Sequence, residues 1–115
     1  MNKVTVILGT RGSGKTTKAR ELVADRPTCW IATPALYTRI GFCGVTSKTQ
    51  AMVVDELGDI DMLRKLIDMQ SVKVDCVGQP VIELPRPELI ITSNLFKAVD
   101  IPFRPYVDVI VLRTR

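Results

Sequence analysis

The stretch VTVILGTRGSGKTT, Val4 to Thr17, decides the fold. Val4 to Leu8 is an apolar, β-branched run that suits a strand buried on both faces. A glycine-rich loop follows and ends in Lys15-Thr16-Thr17. Residues 15–24 then suit a helix, because Ala19, Leu22 and Val23 share a helical face and Pro27 stops it. Gly9-Thr10-Arg11-Gly12-Ser13-Gly14-Lys15-Thr16 fits G-x-x-x-x-G-K-[ST] in full. The glycines permit backbone angles that turn amides inward as an anion cradle. The start of the helix adds its positive end. Lys15 would sit near the β- and γ-phosphates, and the Thr16 hydroxyl suits Mg2+. The expectation is that Gly9 to Thr17 holds the phosphates of ATP with Mg2+. Arg11 is loop filler by default, with a contact to phosphate or to a neighbouring subunit as the second option. A chance match in a glycine-rich turn would lack the strand before the loop and the helix after it.

The chain has 115 residues, which predicts one domain spanning 1–115. Apolar residues make up 46% and charged residues 24%, an ordinary globular balance. A net charge of +4 is compatible with nucleic acid without requiring it. There is no histidine, which removes imidazole acid–base chemistry and imidazole metal ligands. Cys29, Cys43 and Cys76 are odd in number and not spaced as a zinc clamp. Three free thiols in a reducing, cytoplasmic setting are expected, or host cytoplasm or nucleus for a viral protein. No apolar run is long enough to span a bilayer, and no signal-peptide pattern opens the chain.

Further strands are predicted at Cys29–Ala32, Ala51–Asp55, Leu89–Thr92 and Val107–Leu112. A second helix is predicted over Asp59–Gln70, where Ile60, Leu63, Leu66 and Ile67 recur at helical spacing. Residues 72–84 alternate loosely around Gly78-Gln79-Pro80, as a hairpin would. Pro85, Arg86 and Pro87 suit a stiff connector, and 33–49 suit mostly irregular structure. Strands alternating with helices predict a parallel α/β sheet.

Two polar strand ends carry further chemistry. In AMVVDE, Asp55 and Glu56 end a buried strand and resemble a Walker B pair. In a parallel sheet such an end faces the same crevice as the glycine loop. Asp55 would hold Mg2+ and Glu56 would act as general base on the attacking water. The competing reading is two ordinary acids opening a loop or capping a helix. In LIITSN, Asn94 could meet the γ-phosphate or serve simply in a turn or cap.

The order of these elements resembles the additional-strand, catalytic-glutamate branch of P-loop ATPases. VVDE, a short amphipathic helix, a hairpin, ELIITSN and PFRPYVDVIVL are most similar to the superfamily 3 helicase domain of small-virus and plasmid Rep proteins. That resemblance implies a five-stranded, mostly parallel P-loop NTPase sheet in the order 5-1-4-3-2, flanked by helices. It places the hairpin before the fourth core strand. It implies a sensor role for Asn94 and, for Arg104, an arginine finger reaching a neighbouring subunit. A surface arginine held between prolines is the other reading of Arg104, and Arg113 and Arg115 are weaker candidates. It further implies a homo-oligomeric ring, a hexamer among its forms, acting on single-stranded nucleic acid in replication.

The chain departs from that pattern in several places. The hairpin tip, Val77-Gly78-Gln79-Pro80, carries neither a basic residue nor a stacking aromatic, and Lys73 lies only at its base. No nick-forming endonuclease segment, His-rich site or helical lid is recognisable. ATP hydrolysis coupled to translocation or unwinding is therefore the leading expectation. A nucleotide-dependent assembly or packaging ATPase stays open, as does a small nucleoside or nucleotide kinase.

Overall fold

A computed structural model describes residues 2–113. Seven strands and two α-helices follow in the order β1 (Val4–Leu8), α1 (Lys15–Val23), β2 (Thr28–Ala32), β3 (Ala51–Asp55), α2 (Ile60–Asp68), β4 (Ser71–Val74), β5 (Ile82–Pro85), β6 (Glu88–Ser93) and β7 (Val107–Val111). Five strands form one sheet in the order β2-β3-β6-β1-β7, and every pairing in it is parallel. β4 and β5 form a separate antiparallel hairpin. The strand labels therefore differ from the expected 5-1-4-3-2, because the hairpin takes two numbers and stands outside the sheet.

The register places β1 at the centre: Val4 lies opposite Leu89 on one side and Val107 on the other. All five β1 residues are buried, as a strand covered on both faces requires. One face of the sheet carries Val6, Met52, Val54, Leu89 and Ile91, packed with Leu63, Leu66 and Ile67 of α2 and Val72 and Val74 of the hairpin. The other face carries Ile7, Ala51, Val53 and Ile90 under Ala19 and Val23 of α1.

Both helices are shorter than expected. Asp59 proves to be the N-cap of α2, its carboxylate accepting from the Asp61 and Met62 amides at 2.9 and 3.3 Å. Tyr37 donates its hydroxyl to the same carboxylate at 2.8 Å, which holds the Asp59 carboxyl below its ordinary range. Residues 33–49 are not wholly irregular, since Thr33–Tyr37 form a 3-10 helix with Pro34 in its first turn.

One expectation is overturned. Cys43 and Cys76 are joined as a disulfide, so the thiols are not all free; Cys29 alone remains, and burial pushes its thiol pKa up. Arg86 is no mere connector. It is only 2% exposed, and its guanidinium donates to the carbonyls of Met69, Pro87 and Asn2 at 2.7–2.9 Å. Burial lowers its pKa. No helix among the described residues is long and apolar enough to cross a membrane.

Candidate functional site

The parallel sheet brings the C-terminal ends of β1, β3 and β6 together, and the polar residues of interest follow those ends. The loop after β1 is held from two sides. The Gly9 amide donates to the Ser93 carbonyl at 3.2 Å, and the Leu112 amide to the Leu8 carbonyl at 2.7 Å. Gly12 and Gly14 adopt positive φ, 82° and 90°, the region that residues with a β-carbon resist. Gly14 is the N-cap of α1. The amides at the start of that helix have no partner within it.

Lys15 is 3% exposed, although it is a lysine in the first turn of a surface helix. Its ammonium donates to the Thr10 carbonyl at 2.9 Å and lies 4.0 Å from Glu56 Oε1. The loop thus folds over its own cation. Ser13 Oγ is buried and has no hydrogen-bond partner. Gly12, Gly14, Lys15, Thr16, Thr17 and Glu56 line a cavity of about 300 Å3.

Thr16 Oγ1 donates to the Asp55 carboxylate, with both oxygens at 3.2 Å. Asp55 also accepts from Thr92 Oγ1 at 2.5 Å, and its carbonyl accepts from Thr33 Oγ1 at 2.8 Å. The following residue, Glu56, leaves strand geometry with φ 60°. Its amide donates to Thr92 Oγ1 at 2.8 Å. The Leu57 amide donates to the Thr92 carbonyl at 2.9 Å, and Ser93 Oγ to the Leu57 carbonyl at 2.6 Å.

Lys15, Thr16, Asp55 and Glu56 therefore meet around one crevice. Thr10 and Arg11 belong to the same loop and Thr17 to the first turn of α1, and Arg11 is exposed. Asn94 follows β6 at the same end of the sheet, where it is exposed. Arg104 is not brought there. It precedes β7 and makes a bidentate pair with Asp68 at the C-terminal end of α2, at 3.0 and 3.2 Å. Tyr106 donates to Asp68 as well, at 3.3 Å. The Tyr106 carbonyl accepts from the Val4 amide, so this cluster lies at the N-terminal ends of the strands. A five-residue strand rises about 16 Å, which puts Arg104 far from the loop of its own chain. The Arg104 guanidinium holds the Asp68 carboxyl below its ordinary range. Arg113 is exposed beyond β7, and Arg115 lies outside the described residues.

In the sequence Thr92 stands in a polar strand end with no task evident from its neighbours. The available signal was a threonine in a buried strand two residues before Asn94. Its partners became visible only with β3 and β6 paired.

No family model and no curated protein matches the chain. Solved structures do. The A-form apo structure of the C-terminal region of NrS-1 superposes with a TM-score of 0.67 at 15% identity, over 96% of this chain and 29% of that one. Another apo structure of that region, 305–718, gives 0.66 at 15% identity, over 95% and 29%. NtrX from Brucella abortus in complex with ADP gives 0.55 at 19% identity, over 98% and 32%. These likenesses show a shared fold. The chain spans less than a third of the length of each of these proteins.

Proposed function

We propose that residues 1–115 act as one minimal ATPase unit that binds ATP with Mg2+ in the Gly9–Thr17 loop and hydrolyses it. The observation that carries this is the meeting of a buried Lys15, the Thr16–Asp55 contact at 3.2 Å, and Glu56 on the wall of the loop's cavity. The ADP held by NtrX, 32% of whose chain shares this fold, supports a nucleotide here.

The residues fit both groups. Two left-handed glycines, free amides at the start of α1 and an orphaned Ser13 hydroxyl suit an anion. Among the described residues, no cluster of three His, Cys, Asp or Glu side chains could hold a metal by itself. Mg2+ needs no such cage, because it keeps waters and phosphate oxygens and takes one or two protein ligands. Thr16 and Asp55 would be those ligands. Bound Mg2+ supplies neutralisation of the charge that builds on the phosphoryl oxygens.

In this scheme the loop amides and Lys15 bind the β- and γ-phosphates. Lys15 would exchange the Thr10 carbonyl for a phosphate oxygen. Glu56 orients the attacking water and accepts its proton. Asn94, exposed just after β6 at the same end of the sheet, would sense the γ-phosphate. Arg104 could serve only another copy's site, in an oligomer, after leaving Asp68. Coupling to single-stranded nucleic acid in replication, by translocation or unwinding, is the finer part of the proposal, and it rests on the resemblance of VVDE and ELIITSN.

Nucleotide titration and phosphate release test the assignment. Lys15→Ala is expected to abolish ADP and ATP binding. Glu56→Gln is expected to bind both and to lose about 10²–10⁴-fold in turnover. Normal turnover in Glu56→Gln would remove Glu56 as the base.

A further inference from the structure

Asp55 and Glu56 are consecutive, and consecutive strand residues point to opposite faces of a sheet. Continued as a strand, β3 would turn one acid toward the glycine loop and the other toward the core beneath α2. Both acids nevertheless reach the crevice. Asp55 touches Thr16, and Glu56 lines the cavity 4.0 Å from Lys15 Nζ. The difference is the left-handed turn at Glu56, φ 60°, a conformation costing a residue with a β-carbon about 1–2 kcal/mol. Something must hold it.

We propose that Thr92 is the positioning residue that sets both acids for hydrolysis, an assignment that rests on the ATPase proposed above. Its side chain is fully buried, at 0% exposure. A threonine hydroxyl has one proton to give and lone pairs to receive. The proton goes to Asp55 Oδ1 at 2.5 Å, and a lone pair takes the Glu56 amide at 2.8 Å. One oxygen thereby fixes the carboxylate of the first acid and the backbone of the second. The Thr92 carbonyl takes the Leu57 amide at 2.9 Å, so the turn is gripped on both sides. The Asp55 carboxylate, shared between Thr92 and Thr16, is left with little freedom to rotate. Without the hydroxyl, the Glu56 amide loses its partner and Asp55 one of its two hydroxyl donors. The chain would then relax toward ordinary strand geometry and draw Glu56 off the attacking water.

Valine and serine separate this role from packing, since valine keeps the shape of threonine and serine keeps the hydroxyl. Thr92→Val should remain folded and bind ADP in EDTA within about threefold of the parent. Its kcat should fall about 10–100-fold, the usual range for a lost supporting partner. The Mg2+ concentration for half-maximal rate should rise, and the Glu56 and Leu57 amides should exchange with deuterium faster. Thr92→Ser should restore kcat to within a few-fold. Parent-like kcat and unchanged Glu56 protection in Thr92→Val would overturn the proposal. So would a parallel loss of kcat, ADP affinity and melting temperature that serine fails to rescue. If the parent hydrolyses no ATP, the ATPase assignment fails by itself. The exchange rate of Glu56 in Thr92→Val then still decides whether Thr92 holds the turn.

Discussion

Gly9 and Gly12 are glycines for different physical reasons. A β-carbon on Gly9 would collide with Ser13 Oγ and come within 2.9 Å of the Leu112 carbonyl, whereas one on Gly12 meets nothing within 4 Å. Gly12 is instead required by its φ of 82°. Asparagine tolerates that left-handed region better than most residues, but it cannot remove a collision. Gly12→Asn should therefore lose less than about 1 kcal/mol in urea denaturation. Gly9→Asn should lose about 1–3 kcal/mol through overpacking. Equal losses would contradict this division. The spacing of the loop residues was legible in the sequence because the loop is made by neighbours. The turn at Glu56 was not, since it is imposed by Thr92, 36 residues away. Arg104 was legible only as an arginine between prolines; its pairing with Asp68 depends on where α2 ends.

At the scale of elements, α2 was readable from Ile60, Leu63, Leu66 and Ile67, because period is a local signal, while Asp59, expected inside the helix, caps it instead. Its end was not readable. The segment after α2 is gathered in by Arg86, which donates to the carbonyl of Met69, the C-cap residue, and ties it to Pro87 and Asn2. A cation there also faces the negative end of the helix. In sequence, an arginine between two prolines reads as exposed, because the partners that allow its burial are backbone groups that any residue could supply. Arg86→Met should leave those carbonyls without donors in a buried place and lower stability by about 3 kcal/mol. Arg86→Lys should recover little, since an ammonium lacks the planar fork that reaches several carbonyls at once. Urea midpoints of the three proteins make the comparison. A lysine variant as stable as the parent would show that charge, not the fork, holds this corner.

At the scale of the molecule, the alternation of strands and helices made the parallel sheet legible, while the covalent link between the 38–45 loop and the hairpin was not. Cys43 and Cys76 stand 33 residues apart, and only the packing of the hairpin against the 38–45 loop brings them together. That link should add about 2–4 kcal/mol, chiefly by restricting the unfolded chain. Adding dithiothreitol should lower the melting temperature of the oxidised protein and leave a Cys43→Ser/Cys76→Ser double variant unmoved. A parent melting temperature indifferent to reductant would mean that the link contributes nothing. The sheet has a different consequence, in the order of assembly. β1 is the first strand in the chain, yet it lies between β6 and β7, the last two. Val4 must find Leu89 and Val107 before its backbone is paired on both sides. Contacts of such long range are formed slowly. During synthesis the apolar run Val4 to Leu8 leaves the ribosome well before Leu89 and Val107 and must wait for them. Through that interval it is an uncovered strand, and keeping it from other chains falls to the speed of translation and to chaperones.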